Sequence, residues 1–170
     1  MERKLLISKE TIRDRVKKIA DQISSDYREK DLVLVGVLNG VIFFFSDLLR
    51  AISIPTRMDF IRATSYGSQM TSSGTIRITK DIEIPVQGKS VIIVDDIVDT
   101  GLTMEYLIDK FEQKGVESLK VCALIDKSER RDISISIDYC GFQIKKGFIV
   151  GYGLDYDEKY RYLPDIYILR

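Results

Sequence analysis

Val91 to Met104 reads V-I-I-V-D-D-I-V-D-T-G-L-T-M, and it carries the densest chemistry of the chain. Four β-favouring apolar residues run into two adjacent carboxylates, Asp95 and Asp96. A third acid and a turn follow, Asp99-Thr100-Gly101-Leu102-Thr103, and then a helical pattern begins. The order predicts a buried strand, an acidic pair at its carboxyl end, and a loop that opens a helix. Ligands of open α/β sheets bind beyond the carboxyl ends of strands. A helix N-terminus presents free backbone N–H groups and so seats phosphate. Acids beside such a seat suit a substrate that also carries sugar hydroxyls or Mg²⁺. An ordinary helix cap by Asp99 or Thr100 would use the same donors. Either acid of the pair, taken singly, is about as compatible with a side chain turned away from the site, because strand side chains alternate.

The elements that must hold this loop are legible on both sides of it. Ser8 precedes Ile12, Val16, Ile19 and Ile23, which share one helical face, so a serine-capped amphipathic helix is expected. Leu32 to Val37 is wholly apolar, the pattern of a strand covered on both faces. Asn39-Gly40 turns the chain into an apolar helix through Leu49. Arg57 to Ile61 reads as the next strand, Ser65 to Gly74 as a polar loop with strand-like segments on both sides, in the bland reading a hairpin connection, and Ser90 to Val94 as the central strand. A helix from Leu102 should stop at Gly115, and Leu119 to Ile125 should form another strand. Strand and helix alternate, which predicts an α/β fold with a central parallel sheet flanked by helices. The 170 residues fit a single domain, with no repeats or linkers.

Composition excludes several classes. The 26 basic and 26 acidic residues cancel, which argues against a nucleic-acid surface. There is no histidine, so Ser-His-Asp and Cys-His catalysis are ruled out and any general base is Asp, Glu, Lys, Tyr or Cys. With carboxylates and water as the available ligands, Mg²⁺ is favoured over zinc or copper. Cys122 and Cys140 are too few for a zinc site and read as buried free thiols. No apolar run approaches ~18 residues, and the start M-E-R-K-L-L-I-S-K-E is quickly charged, so neither a membrane span nor a signal peptide is expected and the location expected is the cytoplasm. The glycine patterns of dinucleotide and P-loop sites are absent. An Asp-Asp pair after a strand also opens receiver domains, but there it sits at the first strand rather than past the midpoint.

Val91 to Met104 resembles the phosphoribosyl-pyrophosphate signature of the type I phosphoribosyltransferases. With Leu38-Asn39-Gly40, Ser65-Tyr66-Gly67, Lys127, Phe148 to Asp155 and Arg161 in order, the chain from about Asp31 onward resembles the hypoxanthine-guanine phosphoribosyltransferases. That resemblance implies a small carboxyl-terminal hood over the sheet and a purine-salvage reaction. A 6-oxopurine would displace pyrophosphate from phosphoribosyl pyrophosphate, giving IMP or GMP. It implies these roles: Asp99, Thr100, Gly101, Leu102 and Thr103 for the 5′-phosphate; Asp95 and Asp96 for the ribose hydroxyls; Asn39, Gly40 and Arg161 for pyrophosphate. Lys127, Phe148 and Ile149 would take the base, and Asp99 would act as acid/base at purine N7. Ser65 and Tyr66 would head a lid, and Asp155, with Asp95 and Asp96, would hold Mg²⁺. The family commonly carries lysine where Asn39 stands, so this chain lacks one positive charge there. A homodimer or homotetramer is also implied. Two rivals stand beside this reading: an RNA-binding regulator on the same fold, like the pyrimidine attenuation proteins, and an enzyme for xanthine or another base. Without the resemblance, Lys127 would read as a solvated lysine of a charged run and Phe148 as a core residue.

Overall fold

The computed structural model describes residues 2–66 and 75–170. Nine strands and three helices are described: β1 (Arg3–Ile7), α1 (Lys9–Asp26), β2 (Leu32–Leu38), α2 (Ile42–Ala51), β3 (Thr56–Tyr66), β4 (Thr75–Lys80), β5 (Ser90–Val98), α3 (Leu102–Gln113), β6 (Ser118–Lys127), β7 (Tyr139–Ile144), β8 (Phe148–Val150) and β9 (Ile166–Leu169). Six of the strands form one sheet in the order β4-β3-β2-β5-β6-β7. β2 pairs in parallel with β3 and β5, β5 with β6, and β6 with β7, whereas β4 runs antiparallel to β3. The sheet is therefore mixed rather than wholly parallel. The central strands β3-β2-β5-β6-β7 are parallel as expected, and the antiparallel pairing lies at one edge, where the chain returns directly beside β3 instead of crossing over through a helix.

The apolar residues of β2 and β5 are buried along nearly their whole length, because helices cover both faces of the sheet. On one side Ile12, Val16, Ile19 and Ile23 of α1 and Phe44, Phe45 and Leu48 of α2 pack on Leu32, Leu34, Ile92 and Val94. On the other, Met104, Leu107 and Phe111 of α3 pack on Val33, Val35, Val91 and Ile93. The alternation 91/93 against 92/94 is the strand period dividing β5 between two cores. Ser8 caps α1, its hydroxyl accepting from the Thr11 amide at 3.2 Å. Gly115, with φ +70°, follows the end of α3 as expected for a C′ residue.

The hood is a three-stranded antiparallel sheet in the order β1-β9-β8. Its first strand comes from the opposite end of the chain, a partner the sequence reading did not supply. Two boundaries also differ. β5 continues through Val98, so Asp95 and Asp96 lie within the strand's last turns of pleat. β3 continues through Tyr66, so Ser65 and Tyr66 stand on a strand paired with Ile76 and Thr75 rather than in a loop. The rest of the expected lid, residues 67–74, lies outside the described residues. Among the described residues no helix is long and apolar enough to cross a membrane. Cys122 is buried, Cys140 is half-buried, and both are free thiols.

Candidate active site

The β5–α3 connection encloses a cavity of about 220 Å³ lined by Asp95 to Gly101, Thr103 and Met104. Gly101 enters α3 with φ +92°, a conformation that glycine adopts freely. No side chain caps that helix end, and Thr100 Oγ1 accepts only a long bond from the Leu102 amide, 3.3 Å. The first turn of α3 thus keeps donors available beside the cavity, the arrangement that favours an anion.

Asp95 and Asp96 are held by their own strand. Asp95 Oδ1 accepts from the Asp96 amide at 2.9 Å and Asp96 Oδ1 from the Ile97 amide at 3.0 Å. Burial pushes the Asp95 carboxyl well above the usual carboxylate range, and the neighbouring charge of Asp96 adds to the shift. Burial raises Asp96 as well, against opposing hydrogen bonds and the field of Arg161. A pair left in this state stabilises itself by keeping a proton; a cation or hydroxyl donors would relieve it.

Asp96 also marks where the hood meets the sheet. The turn after β2 contains a cis peptide bond between Leu38 and Asn39, and Gly40 follows it. A Cβ on Gly40 would lie 1.9 Å from Asp96 Oδ2, so the carboxylate rests directly on that glycine. A Cβ on Gly153 would in turn lie 1.9 Å from the Gly40 carbonyl oxygen. Arg161 Nη1 donates to the Gly153 carbonyl at 2.7 Å, and Arg161 Nη2 pairs with Asp155 Oδ1 at 3.0 Å. Two bare glycines therefore bring Asn39-Gly40, Asp96, Asp155 and Arg161 into one corner.

A second group of residues forms a chain of contacts. Lys127, at the end of β6, is buried at 7% exposure instead of being solvated. Its ammonium lies 3.3 Å from Glu129 Oε2 and 3.9 Å from Asp99 Oδ1. Asp99 Oδ1 is itself buried without a hydrogen-bond partner, while Oδ2 faces Arg130 at 3.7 Å. Glu129 Oε2 accepts from the Gly147 amide at 3.1 Å; that bond, then Lys127, holds its carboxyl below the usual range. Gly147 leads into Phe148, which is 51% exposed and meets the Tyr156 ring edge-on at 5.3 Å. Ile149 is buried on β8, the outer strand of the hood sheet.

The sequence-predicted residues thus fall into three neighbouring groups: the Asp99–Thr103 loop, the glycine corner, and the Lys127–Phe148 wall. Sequence reasoning missed Glu129 and Arg131. Both sit in the charged run D-K-S-E-R-R, where composition signals only a solvated surface. Arg131 Nε donates to the Asp99 carbonyl at 2.8 Å and Nη2 to that of Val98 at 3.0 Å, while Nη2 also pairs with Asp126.

A doubly covered α/β sheet with an anion seat and buried acids at its carboxyl edge defines a class that grips phosphorylated sugars, and the comparisons agree. The description "phosphoribosyl transferase domain" matches residues 7–157, and the chain belongs to that family. A hypoxanthine-guanine phosphoribosyltransferase of Aquifex aeolicus is 44% identical over 167 residues, which span 98% of this chain and 94% of that protein. Its counterpart in Bacillus subtilis is 40% identical over 167 residues, 98% and 93% of the two chains. The crystal structure of a hypoxanthine-guanine phosphoribosyltransferase from Bacillus anthracis superposes with a TM-score of 0.94 at 44% identity, covering 99% of this chain and all of that one.

Proposed function

We propose that the three groups divide one reaction among them: transfer of a phosphoribosyl group to a 6-oxopurine in purine salvage, with hypoxanthine or guanine as acceptor and pyrophosphate as leaving group. The chain is a phosphoribosyltransferase, and its relatives of similar length are hypoxanthine-guanine phosphoribosyltransferases. What carries the reading to these residues is the contact chain from the unpartnered Asp99 Oδ1 through Lys127 and Glu129 to Gly147, beside the exposed face of Phe148.

The amides of Asp99 to Thr103, with the Thr100 and Thr103 hydroxyls, take the 5′-phosphate. Asp95 and Asp96 accept from the ribose hydroxyls. Asn39-Gly40 amides and Arg161 hold pyrophosphate, Arg161 replacing some of the charge a lysine at position 39 would have added. Phe148 stacks on the base, and the Ile149 backbone reads its edge, an interaction of order 1–3 kcal/mol for the stack. The Lys127 ammonium only donates, so it pairs with a 6-oxo group and opposes a 6-amino group donor to donor. As carbon 1 of the ribose gathers positive character, the Asp99 carboxylate stabilises the purine and receives the N7 proton. Ser65 and Tyr66 head the segment that excludes water from carbon 1.

The donor set fits magnesium. Among the described residues no three acids converge into a cage, and one or two carboxylates completed by water and substrate oxygens is the shell this ion takes. Asp155 would hold it directly, with Asp95 and Asp96 reaching it through water, and there it would supply positive charge to the departing pyrophosphate. The 170 residues act as one domain, in the cytoplasm, and associate as a homodimer or homotetramer.

Initial rates with hypoxanthine, guanine, xanthine, adenine and uracil, each with and without magnesium, test the assignment. Magnesium-dependent turnover of hypoxanthine or guanine with rejection of adenine is expected. Adenine as the preferred base would defeat the role given to Lys127.

A further inference from the structure

Residues 98–100 have their carbonyls all taken from one side. Arg131 donates to the carbonyls of Val98 at 3.0 Å and Asp99 at 2.8 Å. The Asp132 and Ile133 amides both donate to the Thr100 carbonyl, at 2.9 and 3.2 Å. In a planar trans peptide the C=O of one residue and the N–H of the next point in opposite directions. Three carbonyls drawn toward residues 131–133 therefore turn the amides of Asp99, Thr100 and Gly101 away from that segment. The cavity borders those same residues, and none of Arg131, Asp132 or Ile133 lines it. The segment also presses on the loop from behind: a Cβ on Gly101 would lie 2.8 Å from the Ile133 carbonyl oxygen.

We infer that Arg131 is a positioning residue for the phosphate seat: its side chain, only 18% exposed, locks the loop carbonyls outward through the guanidinium so that the loop amides converge on the cavity. Its planar fork suits the task. One face reaches the Val98 and Asp99 carbonyls, and Nη2 also reaches the Asp126 carboxylate and, at 3.3 Å, the Lys127 carbonyl. The same side chain thus fixes the backbone on either side of the Asp99–Lys127 contact. A lysine would keep the charge opposite Asp126, but its donors share one nitrogen and lack the spread by which Nε and Nη2 reach the Asp99 and Val98 carbonyls separately.

The inference rests on the phosphate-binding role given above to Asp99–Thr103, and the test separates the two. Titration calorimetry would measure ribose 5-phosphate and, separately, magnesium pyrophosphate on wild type, Arg131→Ala, Arg131→Lys and Thr103→Ala. Arg131→Ala should weaken ribose 5-phosphate by about 10- to 100-fold and leave pyrophosphate within about twofold, with Arg131→Lys restoring only part of the loss. A merely structural role would weaken both ligands together, and that result overturns the inference. So does unchanged ribose 5-phosphate affinity in Arg131→Ala while Thr103→Ala loses it. If Thr103→Ala also binds like wild type, the phosphate reading itself fails and takes the inference with it. If Arg131→Ala does not fold, Arg131→Lys decides by the same split between the two ligands.

Discussion

Gly40→Ala tests the corner where turn, acid and hood meet. The added Cβ would lie 1.9 Å from Asp96 Oδ2, 2.7 Å from its Cγ and 3.2 Å from Oδ1. A comfortable carbon–oxygen contact is about 3.3 Å, so something must move by about 1.4 Å. Asp96 has little room to yield, because Oδ1 is held by the Ile97 amide at 3.0 Å. The turn has little room either, because the Gly40 carbonyl lies where a Gly153 side chain would be. A displacement of this size at a reacting centre costs about 100-fold in rate, or about 2.7 kcal/mol of barrier. Overpacking of this kind costs about 1–3 kcal/mol of stability, which lowers Tm by several degrees in a chain of this length. Steady-state kcat/KM for phosphoribosyl pyrophosphate, with Tm by calorimetry and circular dichroism to confirm folding, measures both. A folded Gly40→Ala enzyme with kcat/KM within about threefold of wild type would refute the claim that Asp96 is seated by a bare glycine.

Four further outcomes are expected. Gly88→Ala is the control: φ is +70° but nothing lies within 4 Å of the added Cβ, so it should cost about 1–2 kcal/mol in thermal unfolding and leave kcat unchanged. Lys127→Gln gains an acceptor at the base edge, so the preference for hypoxanthine over adenine should fall by about tenfold or more in competing-substrate rates. Asp99→Ala should lower turnover much more than it weakens phosphoribosyl pyrophosphate binding; equal losses in pre-steady-state and binding measurements would make it a binding residue only. Asp59 predicts a pH signature. Burial alone would raise its pKa, but bonds from the Glu83, Ile84 and Phe60 amides and from Lys80 hold it below 3.8. A depressed carboxylate contributes stability above its unfolded value and loses it as pH falls through the folded value. Asp59→Ala should therefore be less stable than wild type in urea at pH 7, and the gap should narrow as pH falls below about 3.8.

The two cores and the loop opening α3 were legible because their signals are local. The continuous apolar run of β5, the 3.6 period of α1 and the Gly115 stop all act within a few residues. A strand after residues 65–74 was legible, but its direction beside β3 stayed open between readings, since an edge strand's direction depends on its partner rather than on its own pattern. Nor was β1, whose exposed Leu5 and Leu6 give no core signal and whose partner lies at the far end of the chain. The acids Asp95, Asp96 and Asp99 announced themselves by following an apolar run. Arg131 and Glu129 did not, because a buried guanidinium and a surface one have the same spelling. Only the fold shows that the charged run after β6 closes behind the Asp99 loop.

The pairing of β1 with β9 sets an order on assembly. Arg3 sits opposite Leu169, and the Arg170 amide donates to the Glu2 carbonyl at 3.0 Å. During synthesis the six-stranded sheet can therefore form before Phe148 and Ile149 have a sheet to belong to. In the nascent chain β1 has no partner and β8 no sheet until β9 emerges to pair with both.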